Sequence, residues 1–76
     1  MEITLDCLCP GMEGVVRDIN TEDALRRRLA EFGLVPGTKV RCRYRSPDGG
    51  VTAIGLRGAV LALRTGDLRR ITVGIG

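Results

Sequence analysis

Three cysteines, Cys7, Cys9 and Cys42, are the residues of this chain best suited to chemistry, because a thiolate is both a nucleophile and a metal ligand. Their spacing argues against a shared metal. Cys7 and Cys9 lie one residue apart, so on an extended segment their sulfurs point to opposite faces. A tetrahedral zinc site needs four ligands; beyond Cys7 and Cys9 only the distant Cys42 and the carboxylate of Asp6 could be added, and the chain has no histidine, the commonest partner of cysteine in such sites. An odd number of cysteines without a paired pattern also fits free thiols in a reducing compartment better than a disulfide framework. The three therefore read as small apolar side chains packed inside, with no metal and no cofactor.

The remaining candidates for chemistry are weaker. The absence of histidine removes the commonest general base. Glu22 and Asp23 are paired acids, but they sit where a helix begins and its dipole favours anions. The run Gly33-Leu34-Val35-Pro36-Gly37-Thr38-Lys39 lacks the glycine spacing of a phosphate-binding loop, and it follows a helix where such a loop precedes one. Gly33 instead ends that helix, and Gly37 makes the turn into the next strand. Catalysis is not expected of this sequence.

Binding is better supported. Lys39, Arg41, Arg43 and Arg45 alternate with Val40, Cys42 and Tyr44, which places four bases on one side of a half-buried strand. Arg57, Arg64, Arg69 and Arg70 could extend this stripe into a patch. A protein, an anionic membrane surface or a nucleic acid could meet it; a solvated face that protects a sheet edge is the plainer use. Nucleic acid is disfavoured because single-strand binders stack bases on aromatics, and this chain has one Tyr, one Phe and no Trp. The charge is polarised along the chain. Residues 1–25 hold six acids against Arg17 alone, whereas residues 26–76 hold eleven bases against Glu31, Asp48 and Asp67.

The elements that position these residues follow from pattern. At 76 residues the chain is one domain with one core, and with 43% hydrophobic residues and two aromatics that core must be aliphatic. Ile3 to Gly11 reads as a short strand or extended arm ending at Pro10-Gly11, and Gly14 to Ile19 as a strand. Leu25, Leu29 and Phe32 recur at i, i+4 and i+7, which predicts a helix over about 21–32. Asn20 or Thr21 is its expected cap, and Glu22 with Arg26 and Asp23 with Arg27 are its expected ion pairs. Residues 38–45 form a strand, Ser46-Pro47-Asp48-Gly49-Gly50 a loop, Val51 to Leu56 the returning arm, and Arg57-Gly58 a tight reversal into Ala59 to Arg64. Thr65-Gly66-Asp67 reads as a last turn before a closing strand with Ile71 and Val73. The sum is a mainly β domain with one helix, a small barrel of five or six short antiparallel strands. No apolar run is long enough to cross a bilayer and the start lacks the basic residues of a signal peptide, so the cytoplasm is the expected location.

The segment Leu25-Arg26-Arg27-Arg28-Leu29-Ala30-Glu31-Phe32-Gly33-Leu34-Val35-Pro36-Gly37-Thr38 resembles the helix and turn of FeoA-type ferrous-iron transport proteins. Pro47, Leu61-Ala62-Leu63-Arg64, Ile71 and Val73 fall in that family's order and spacing, as does the start from Leu5 to Val16. The chain departs from it at Phe32, where Met is usual, in the hairpin loop, which lacks a second proline, and at Cys7 and Cys9, which are not family hallmarks. The resemblance implies an SH3-like barrel, related to the C-terminal domain of diphtheria-toxin-repressor-type regulators, with no catalysis and no cofactor. It implies a cytosolic partner of the membrane ferrous-iron transporter FeoB. Peripheral contact with the inner membrane surface and weak self-association are further contacts open to such a domain. The expected partner surface lies between the helix near Phe32 and Leu34 and the hairpin carrying Pro47, with Val35, Pro36 and the basic residues Lys39, Arg41, Arg43 and Arg45.

Overall fold

The computed structural model describes residues 1–76. Six strands form one antiparallel sheet: β1 (Glu2–Thr4), β2 (Glu13–Ile19), β3 (Lys39–Arg45), β4 (Val51–Leu56), β5 (Ala59–Arg64) and β6 (Ile71–Gly74). Their spatial order is β1-β6-β2-β3-β4-β5, so β1 and β5 are the edges. Helix α1 (Asp23–Glu31) fills the β2–β3 connection and a single turn, α2 (Thr65–Leu68), the β5–β6 connection. The sheet rolls round one core, giving a nearly isotropic body of 29 × 26 × 23 Å. The core is aliphatic apart from Cys42: Leu5, Leu8, Val16, Ile19, Leu29, Leu34, Val40, Ile54, Leu56, Leu68, Ile71 and Val73 complete it.

Three departures from the sequence expectation have local causes. The arm from Ile3 does not stay extended: Leu5–Cys7 form a 3-10 turn. With three residues per turn, positions i and i+3 eclipse, so Leu5 and Leu8 both enter the core. Cys7 and Cys9 are consequently exposed, a correction to their expected burial, while Cys42 is buried.

The second departure is at β3. Its alternation breaks at a bulge between Cys42 and Tyr44, where Arg43 is the extra residue; Cys42 pairs with Ile54 but Tyr44 already pairs with Ala53. One added residue reverses the side-chain phase beyond it. Tyr44 therefore faces solvent, and Arg45, now opposite the buried Thr52, turns inward.

The third is at α1, which starts at Asp23, two residues later than expected. Neither Asn20 nor Thr21 caps it: the preceding residue is Glu22, and the Thr21 hydroxyl donates to the Glu22 carbonyl. Arg26 pairs with Asp23 at 2.6 Å, an i,i+3 contact in place of the two i,i+4 pairs. At the other end Gly33 (φ +89°) gives its N–H to the Ala30 carbonyl and Leu34 gives its N–H to the Leu29 carbonyl. That pair of bonds is the Schellman motif, and its apolar contact is Leu34 on Leu29. The short α2 has no sequence period to announce it. Leu68 is buried, and the Thr65 hydroxyl donates to the Gly49 carbonyl, tying the β3–β4 loop to the turn.

Candidate functional site

The expected partner surface divides into two separate concavities and a buried remainder. Leu34 is 0% exposed, because the Schellman motif folds it back onto Leu29; it belongs to the core and not to a contact surface. Arg45 is withdrawn as well. Beyond the bulge its guanidinium reaches the N-terminal arm, where Nη2 donates to the carbonyls of Asp6 and Leu8, the latter at 2.8 Å. It thus clamps the 3-10 turn, and its buried Nε has no partner. Pro47 lines neither concavity; it sits in a tight loop where Asp48 accepts from the Ser46 hydroxyl at 2.6 Å and the Gly50 N–H at 2.9 Å. Those two bonds, Ser46 first, hold the Asp48 carboxyl below its ordinary range.

The first concavity, of about 520 Å³, lies between α1 and β5. Leu25, Leu29 and Phe32 line one wall, and Leu61 and Leu63 the other, with Arg28 and Arg64 at its rim. Phe32 is the residue that caps α1, beyond the last residue that packs on the core, and it is 54% exposed. An exposed phenylalanine beside partly buried leucines is an apolar surface without a cover. The second wall, β5, is a free sheet edge. Sequence reasoning named Phe32 but placed its groove toward the Pro47 hairpin. The facing leucines come from a strand some thirty residues on, and only the roll of the sheet brings them opposite the helix.

The second concavity, of about 880 Å³, is basic and lies on the outer face over β3. Val35, Pro36, Lys39, Arg41 and Arg43 all line it, together with Glu13 and Arg57. Of the four further arginines considered, Arg57 alone joins: Arg64 rims the apolar groove, and Arg69 approaches Asp6 at 3.7 Å. Arg41 meets Glu13 at 3.2 Å, a half-exposed pair worth about 0–1 kcal/mol. Lys39, Arg43 and Arg57 have no acidic partner. Glu13 carries no sequence signal for this position; the β2–β3 register, Glu13 opposite Arg41, puts it there.

Nowhere do three His, Cys, Asp or Glu side chains converge as ligands, and the exposed Cys7 and Cys9 are separated in burial from Cys42. Burial pushes the Cys42 thiol above its ordinary range, with Arg45 pulling the other way. No helix is long and apolar enough to cross a membrane.

No curated protein matches the chain. Among solved structures, FeoA from Chlorobium tepidum is 33% identical, with a TM-score of 0.93 over 96% of this chain and 70% of that one. FeoA from Stenotrophomonas maltophilia, solved with zinc, is 33% identical with a TM-score of 0.75, covering 93% of this chain and 88% of the other. It is described as a prokaryotic SH3 domain protein and a candidate activating factor for bacterial ferrous iron transport. The regulator IdeR of T. acidophilum shares the fold (TM-score 0.85, 20% identity), this chain spanning 99% of its own length and 34% of the regulator's. The FeoA domain matches residues 3–74, so the chain belongs to the FeoA domain family, whose proteins are associated with ferrous iron transport and share this SH3-like fold.

Proposed function

We propose that this chain is a cytosolic accessory protein of ferrous-iron uptake that docks on an FeoB-type membrane transporter and performs no catalysis itself. The observation that carries the reading is the uncovered groove between α1 and β5, with Phe32 exposed at its mouth. Burying that ring and its leucine neighbours supplies the driving force of association, at roughly 25 cal/mol per Å² of apolar surface removed from water. Exposed aromatics of this kind are the anchors on which interfaces depend. The activating role considered for the Stenotrophomonas relative supports the same assignment.

The experiment is photocrosslinking in membranes that contain the full-length cognate transporter. A benzophenone amino acid at Phe32 is expected to crosslink the transporter, and the same probe at Asp48, which lines neither concavity, is not. Equal capture from both positions, or capture from Asp48 alone, contradicts the assignment.

A further inference from the structure

The basic concavity is a second surface, remote in its chemistry from the apolar groove, and its charges are arranged in a row. Lys39 and Arg41 project from alternate positions of β3, about 6.8 Å apart along the strand. Arg43, the extra residue of the bulge, stays on the outer side, its stem lying against Gly55, where an added Cβ would come 3.1 Å from the Arg43 Cδ. Arg57 closes the far end. It is the one non-glycine residue with positive φ (+49°), at the first position of the two-residue β4–β5 turn, where Asn, Asp or Gly is the usual occupant. Its stem crosses Gly33, so the end of α1 sets the direction of the guanidinium. A strained backbone that carries a placed cation on the rim of a basic depression points to use of that cation.

We infer that this concavity binds an acidic segment of a partner protein in extended conformation, with carboxylates at alternate residues. The repeat of side chains on one face of an extended peptide equals that of Lys39 and Arg41, so successive carboxylates meet successive cations. Val35 and Pro36 give the segment an apolar border. A lipid surface is a poorer occupant, because a flat array of headgroups does not enter a hollow. Nucleic acid is poorer too: no aromatic residue lines the depression to stack a base. Glu13 is the one acid in the lining and is held by Arg41, so an incoming carboxylate competes with it for that guanidinium.

The test is fluorescence anisotropy of the whole protein with a labelled peptide of alternating Glu and Ser, beside a block peptide of the same composition. Anionic phospholipid vesicles and a short single-stranded RNA are the other probes. The alternating peptide is expected to bind more tightly than the block peptide, and more weakly at about 0.15 M than at about 0.01 M salt. Arg43→Glu combined with Arg57→Asn is expected to weaken it at least about tenfold, and Glu13→Gln to strengthen it about twofold to fivefold. Amide shift changes in the unaltered protein, confined to the lining of this concavity (β3, the β4–β5 turn, Glu13 and residues 35 to 38), give the same answer should the double variant fail to fold. Peptide binding unmoved by the double variant, equal affinity for the block peptide, or shifts centred on α1 and β5 overturns the inference. Vesicle or RNA binding through these residues without peptide binding also overturns it.

Discussion

Replacing Gly33 by alanine tests how the end of α1 is built and what it holds in place. At φ +89° an L-residue pays about 1–2 kcal/mol, and the less flexible unfolded chain returns about 0.4–1 kcal/mol. The added Cβ would also stand 2.9 Å from the Arg57 Cδ, closer than carbon atoms approach, so the arginine stem must leave its rotamer at about 0.5–1.5 kcal/mol. The net loss is about 2 kcal/mol, which for a domain of this size lowers Tm by roughly 8–16 °C. Gly37→Ala is the matched control. Its φ is +96°, but nothing lies within 4 Å of its would-be Cβ, so it carries the backbone cost alone, about 1 kcal/mol. In an Arg57→Gly background the cost of Gly33→Ala is expected to fall to that of Gly37→Ala, a coupling that a double-mutant cycle in urea reads directly. Equal losses at the two glycines, with no coupling to Arg57, would refute both the steric argument and the placement of the Arg57 stem.

Other outcomes follow from the same contacts. Arg45→Met removes the donors to the Asp6 and Leu8 carbonyls and is expected to cost about 2 kcal/mol, seen as a lower urea midpoint. The native protein should give two of its three thiols to a disulfide reagent, Cys7 and Cys9, while Cys42 reacts at the unfolding rate. Acid stability should carry an Asp48 contribution. Its folded pKa is depressed, so the stabilisation is present above the unfolded carboxylate range and is lost as pH falls through the folded value; Asp48→Asn flattens that part of the profile. At the alkaline end the sign is the opposite one. The Cys42 pKa is raised from 9.0, so stability falls as pH rises past the unfolded thiol's pKa, and Cys42→Ala removes that slope.

The strands, the hairpin turns and the Gly33 stop were legible because each rests on local chemistry: alternation, turn formers and a left-handed residue. What was not legible depends on parity and on long-range closure. One bulge residue in β3 sent Arg45 inward and Tyr44 outward, and nothing in the alternation of residues 39 to 45 marks where a bulge falls. One 3-10 turn exchanged Cys7 for Leu8 in the core. The contact surface was read from neighbours in sequence, so Leu34 was grouped with Val35 and Pro36, whereas helix-end geometry assigns it to the interior. The acid in the basic concavity and the leucines facing Phe32 come from β2 and β5, brought there by sheet order.

Docking on the transporter is tested most directly by calorimetric titration of the detergent-solubilised, full-length FeoB-type transporter with this chain and with its Phe32→Asp variant. Phe32 is already more than half exposed, so the variant should keep its Tm within a few degrees. Saturable binding by the unaltered chain that weakens at least about tenfold in the variant is the predicted result. Binding that is absent, or that is the same for both proteins, contradicts the account.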